Sequence, residues 1–379
     1  MDPWLDQTTT AYNACSLETL PFQCNDPDAK VPLIIGCYQL NESTDGDHPN
    51  TSTRSGELRL YAIHNGDNLY FDKPQVVHME SGVLDGKWRC RSVGSSPPLF
   101  ASACASGRIH LHSLECGSDN TSWRLNHAAS TESEHGTSNA LCLSLAWDGY
   151  TKSANEFDRI VSSYSDGTVA LHNVLYSKEQ TTISETERWD AHSMFGCPSE
   201  VWACSFLRGD ENLVMSGADD CTLKIWDIRQ TGKPSSKIDK EFEAGVTAIS
   251  SHPLIDHMFA VGSYDEYVRL YDCRMLKDQL WKVHVGGGVW RIKWHPNCGT
   301  DLNGSRILIA AMDGGCRVIE CCDSRAEVSS SFTEHKSMAY GADWIWFGGQ
   351  HNEAAASCSF YDRQAFLWNP EVCRSSNTN

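Results

Sequence analysis

The chain has 379 residues, with 31 Lys and Arg against 49 Asp and Glu for a formal charge of −18, and 40% hydrophobic residues including 13 Trp. Such aromatic content folds around a core instead of remaining a disordered acidic chain, and a negative surface repels a phosphate backbone, so nucleic acid is not an expected partner. No run approaches the roughly 18 to 20 apolar residues that span a bilayer, and the start, MDPWLDQTTT, lacks the basic-then-apolar order of an export signal; no membrane association and a cytoplasmic location are expected.

In chain order, PLIIGCYQL (32–40) and GELRLYAI (56–63) read as strands bracketing a polar insertion, 42–56. LFASACASGRIHLHSL (99–114) is strand, turn and strand, with Ser106 at the turn, and the polar stretch 115–139 after it reads as loop. The same unit recurs as RIVSSYSDGTVALHNV (159–174), NLVMSGADDCTLKIWDIR (212–229), MFAVGSYDEYVRLYDCR (258–274), RILIAAMDGGCRVIECC (306–322) and AAASCSFYDRQAFLWNP (354–370). Four copies place a ring six residues after a turn Asp: Asp166 to His172, Asp220 to Trp226, Asp265 to Tyr271 and Asp362 to Trp368. Equivalent positions fall at 61, 112, 172, 226, 271, 319 and 368, with steps from 45 residues (226 to 271) to 60 (112 to 172). Upstream apolar strands such as EVWACSF (200–206) and GVWRIKWHP (288–296), and outer strands such as QLWKVHV (279–285), bring each unit to about four strands.

Four-stranded units at this period are propeller blades. The pattern resembles the WD repeat, with Trp226-Asp227 as its literal copy, and implies an all-β, seven-bladed β-propeller forming one domain over 1–379. The expected blades are 12–80, 81–130, 138–189, 190–243, 244–284, 285–332 and 333–370, with residues 4–11 completing the last, because an open sheet edge invites aggregation. In such blades the turn Asp accepts from a His of the leading loop, the place that His192 and His335 occupy.

Seventeen Cys without a CxxC pair describe neither a disulfide framework nor a zinc site, so no metal and no cofactor is expected. The usual catalytic signatures, GxSxG, HExxH and the phosphate loops, do not occur in the sequence. Aligned inner strands instead place Trp202, Thr247, Trp290 and Tyr340 at one level of the central channel. Each reads equally well as core packing, but three large rings at one mouth of an acidic chain suit a cationic group, each face attracting it by roughly 0.5–2 kcal/mol. Gly286, Gly287 and Gly288 read as a plain turn or as amides able to receive an oxyanion.

GGGVWRIKWHP (286–296), MDGG (312–315), EHKSMAYGADW (334–344) and SCSFYDRQAFLW (357–368) together resemble the WD-repeat diphthine methyl ester hydrolase family of diphthamide biosynthesis, strongly over 245–370 and more loosely over the first two blades. The resemblance implies an enzyme acting on translation elongation factor 2, at a histidine carrying an aminocarboxypropyl group with a trimethylammonium, from whose carboxyl it removes a methyl before the final amidation. On that reading Trp202, Trp290 and Tyr340 hold the substrate with Gly286, Gly287 and Gly288. His335 or His284 is the expected general base, Asp343 the acid orienting it, and Ser337 the nucleophile of a covalent route, with Cys197 behind it. Two non-catalytic readings compete. Ile225-Trp226-Asp227-Ile228-Arg229 and Leu270-Tyr271-Asp272-Cys273-Arg274 resemble the box of WD-repeat substrate receptors, which makes a cullin-type ubiquitin-ligase adaptor the alternative partner. A methyl-lysine reader would use the same rings without hydrolysis.

Overall fold

The computed structural model describes residues 3–20, 30–41, 53–64, 69–89, 97–117, 122–132, 140–149, 157–177, 180–347 and 353–374. Among the described residues every regular element is a strand, arranged in seven four-stranded antiparallel sheets and one two-stranded hairpin. The first strands of the sheets, Asn13–Thr19, Val83–Trp88, Cys142–Trp147, Ala203–Phe206, Val246–Ser251, Arg291–Trp294 and Ala339–Ile345, neighbour one another in a closed circle. The molecule is a seven-bladed β-propeller, with these strands, of blades 1 to 7 in that order, innermost.

Burial patterns explain why the segments become strands. Second strands such as Leu99–Cys104 and Met258–Ser263 are buried at every position, because neighbouring blades cover both faces of the sheet, and they read as continuous apolar runs. The outer strand Trp281–His284 alternates buried and exposed, as a half-solvated sheet edge requires. The core therefore lies between blades: Val318 and Phe332 of blade 6 pack with Trp344 and Trp368 of blade 7, and Phe332 stacks on Trp368 at 4.8 Å.

Trp4–Thr9 pairs antiparallel with Gln364–Trp368, Trp4 opposite Trp368, so the seventh sheet joins both ends of the chain. The stretch 115–139, expected as loop, instead contains the outer strand Trp123–Ser130. Leu125 is buried there, with Trp123 packed against the same cluster and Ala128 and Ala129 against the next, while Arg124 and His127 are exposed; a strand with one fully buried position has too few large apolar residues to reveal itself. Thr53–Gly56, expected in the insertion 42–56, likewise begins the strand Thr53–His64, and 42–52 lie outside the described residues.

One irregularity sets up the site. The inner-strand register shifts at the entrance of blades 1, 2, 3, 5 and 7, at Cys15, Leu84, Leu143, Thr247 and Tyr340. Trp202 and Trp290 take the equivalent place immediately before the inner strands of blades 4 and 6. A bulge re-aims one side chain, and here the seven residues form the rim of the channel.

Candidate functional site

Four of the seven rim residues are aliphatic or small and three are aromatic, and the rings gather on the side of blades 4 to 7. Trp290 stacks on Tyr340 with centroids 4.8 Å apart and planes at 24°. Trp202 approaches Trp290 at 5.5 Å and Tyr264 approaches it at 6.1 Å. Phe360 extends the group, 5.2 Å from Tyr340 and 5.0 Å from Tyr38. The three rings nominated from the aligned strands are thus brought together; Tyr264, Phe360 and Tyr38 are additions.

Carboxylates stand behind the rings. Trp202 Nε1 donates to Asp219 Oδ1 at 2.7 Å, which fixes the indole and places a negative group at its edge. Glu200 lies beside Asp219; burial, then the hydrogen bond and charge of Asp219, raise its carboxyl above the ordinary range. Gly245 makes room for this arrangement, since a Cβ there would sit 2.5 Å from Asp219 Oδ1.

Below the rim the channel is filled with charge. Asp85 accepts from Lys87 Nζ at 2.7 Å, Arg291 Nη2 at 3.0 Å and Ser144 Oγ at 2.9 Å. Glu18 accepts from Lys87 Nζ at 2.8 Å and Lys293 Nζ at 2.5 Å, and Lys293 Nζ lies 3.4 Å from Asp343 Oδ2. Three carboxylates and three cations from four blades are cross-linked, so the charges balance away from bulk water. Burial alone would raise Asp85; Arg291 and Lys87 outweigh it and hold the carboxyl at about 2. Cys15 on the rim is pushed up to about 12 by burial and is a thiol, not a nucleophilic thiolate, at neutral pH.

The nominated catalytic side chains are not hydrogen-bonded to one another; each has a partner of its own. His335 belongs to the blade-7 interior: its Nε2 accepts from Ser357 Oγ at 2.7 Å, that hydroxyl accepts from Trp368 Nε1 at 3.2 Å, and Phe332 and Phe366 flank the ring. Asp343 does not orient it. Asp343 belongs to the ionic plug and accepts from the Thr19 and Trp344 amides, each at 2.9 Å, because its inner-strand position turns it into the channel. His284 is on the outermost strand of blade 5, more than half exposed, with Nε2 2.8 Å from Glu266 Oε2; three strands separate it from the inner edge of its sheet. Ser337 Oγ accepts from the Tyr361 amide at 3.1 Å. Cys197 is in the exposed hairpin of Ser193–Met194 and Cys197–Pro198.

The glycine run has a packing reason. Gly286 has φ +79°, and a Cβ on Gly287 would lie 2.1 Å from Ala311 O, so the loop can press against the blade-6 turn only without side chains. The adjoining amides of Val285, Val289 and Trp290 donate to the carbonyls of Glu266, Ser263 and Ala310, which fastens the loop below Tyr264. The signal for the missed Tyr264 and Asp219 is positional: each precedes a turn Asp, Asp265 and Asp220, so one alignment of the turns places both beside the mouth.

Comparison with known proteins agrees with this architecture. The WD domain, G-beta repeat family matches residues 188–227, the segment containing the leading loop and first three strands of blade 4. The chain is similar to the diphthine methyltransferase homolog of Dictyostelium discoideum, 31% identical with 95% of this chain and 97% of that protein covered. It is similar also to the diphthine methyltransferases of human, 31% identical over 94% of this chain and 77% of that protein, and mouse, 35% identical over 83% and 64%. On this similarity, which covers 95% of the chain, the chain belongs to the diphthine methyltransferase family of WD-repeat proteins.

Proposed function

We propose that this protein hydrolyses the methyl ester of diphthine methyl ester on translation elongation factor 2. The observation that carries the reading is the aromatic sector of the mouth, Trp290 on Tyr340 with Trp202 and Tyr264 beside them, backed by Asp219. A trimethylammonium fits such a surface, gaining roughly 0.5–2 kcal/mol for each desolvated ring face. A protein substrate has a handle in the same blade: Phe195, 98% exposed, tips the hairpin that precedes Trp202 in the chain, and an exposed aromatic of this kind anchors protein contacts.

In the proposed reaction water attacks the ester carbonyl, the carbon–methoxy bond breaks, and methanol leaves with a proton while the carboxyl stays on the factor. Glu200 takes the proton from the attacking water, since its raised carboxyl is displaced in the direction a general base near neutral pH needs. Incubation of the purified protein with methylated, diphthine-bearing factor should remove the mass of one CH2 and release methanol. Glu200→Gln should lower turnover about a hundredfold. An unchanged mass, or a gain of one CH2 when a methyl donor is supplied, overturns the reading.

A second reading rests on the opposite face. Arg229 and Arg274 are exposed and are each forked onto their own Asp, Nη2 to Asp227 at 2.6 Å and Nη2 to Asp272 at 2.6 Å, at the same strand end of adjacent blades. A ubiquitin-ligase adaptor docking there would leave the mouth open. Loss of adaptor binding in the Arg229→Glu/Arg274→Glu pair, with hydrolysis intact, is its test.

A further inference from the structure

The mouth contains two buried donors that the cation reading leaves without a task. Trp290 is only 9% exposed, and its Nε1–H has no acceptor among the described residues. The neighbouring Arg291 donates Nη1 to Trp290 O at 3.1 Å and Nη2 to Asp85 Oδ1 at 3.0 Å, whereas its buried Nε–H has no acceptor either. The guanidinium carbon lies 5.7 Å from the centre of the Trp290 ring, which puts the guanidinium beside the indole. Buried N–H groups without acceptors are costly, and this pair on consecutive residues, one at the rim and one in the plug beneath it, suits an incoming oxygen.

We propose that the mouth is a two-ended receptor for a quaternary ammonium group bearing a neighbouring carboxyl, with Asp219 behind the rings on the cation side and the Nε–H groups of Trp290 and Arg291 receiving the carboxyl oxygen. The ligand class is a betaine. The inference deepens the ester-hydrolase reading, since the carbonyl oxygen of a bound ester would meet the same donors and gain from them as negative charge develops on it. It adds a consequence of its own: a free carboxylate accepts more strongly from two N–H donors than the carbonyl oxygen of its ester does, so the product acid and small free betaines occupy the site.

Calorimetric titration of the whole protein with glycine betaine, tetramethylammonium and acetate separates the two ends. Glycine betaine should bind about tenfold more tightly than tetramethylammonium, and acetate should give no heat. Trp290→Phe keeps an aromatic ring and removes the donor; it should weaken betaine more than tetramethylammonium and so close the tenfold gap between them. Asp219→Asn keeps an acceptor for Trp202 and should weaken both cations alike. Arg291→Lys retains the charge beside Asp85 and loses Nε, giving a second variant for the carboxyl end, with thermal melts checking that each protein folds. Equal binding of betaine and tetramethylammonium, or Trp290→Phe weakening both equally, overturns the two-ended receptor. Absence of betaine binding in a protein that still hydrolyses the ester overturns this inference and spares the function. Betaine binding without hydrolysis spares the inference and overturns the function.

Discussion

Blades 4 and 7 contain the same four-residue knot, and only one of them ties it. In blade 4, His192 Nδ1 donates to Asp220 Oδ2 at 2.9 Å and its Nε2 accepts from Ser216 Oγ at 2.7 Å, while Ser216 accepts from Trp226 Nε1 at 2.8 Å. In blade 7, His335, Ser357 and Trp368 repeat the second half, but Asp362 has turned to Ser359 Oγ and to the amides of Lys336 and Gln364. His335 Nδ1 is buried without a partner among the described residues. A histidine at the right repeat position is thus a structural strut even where its acid turns elsewhere, and an unusual environment is not by itself a catalytic one. Burial lowers His335 to about 4, with Asp362's charge opposing from a distance; at His192 burial also wins, against a directly bonded Asp220.

The comparison breaks most visibly at Asp220. Asp220→Ala removes the acceptor of His192, of the Thr222 amide at 3.1 Å and of Thr222 Oγ1 at 2.7 Å, and should cost about 3 kcal/mol in a denaturant melt; a cost near zero would show that the knot is ornamental. His335→Ala removes one neutral hydrogen bond and an already unsatisfied donor, so about 1–2 kcal/mol is expected, with ester turnover within about threefold of the parent. A hundredfold fall in turnover by a folded His335→Ala protein would instead make it the base.

The pH dependence sharpens the contrast further. A histidine at about 4 when folded and near its ordinary 6.5 when unfolded binds fewer protons in the native state between those values. Its stabilising contribution is complete above pH 6.5 and is lost as the pH falls toward 4. Stability measured across this window should decline less steeply in His335→Gln than in the parent. The smallest effect is expected from Ser359→Ala, which releases Asp362 to swing to His335 Nδ1: stability within about 0.5 kcal/mol of the parent, and a histidine titration moved upward by NMR.

Much of the toroid was legible in the chain because a blade is built from local hairpins. The turn Asp, the ring six residues on and the apolar strand before them recur within one unit, and Tyr61, His112, His172, Trp226, Tyr271, Ile319 and Trp368 all fall on third strands. The outer strand Trp123–Ser130 was hidden because a strand with one wet face needs few apolar residues. Within the site, Trp202, Trp290 and Tyr340 could be read by superposing the inner strands. The ionic plug could have been found the same way: Asp85 and Lys87, and Arg291 and Lys293, alternate on otherwise apolar inner strands. The partner of Asp343 is not legible in the chain, since Lys293 is 50 residues away in sequence and one blade away in space.

What this sequence determined by itself is the repeating sheet and the number of its copies, both set by contacts over a few dozen residues. Which donors are left without acceptors, which acid reaches which histidine and which rings face one another were decided only when the circle closed, because each depends on side chains from different blades meeting at the axis.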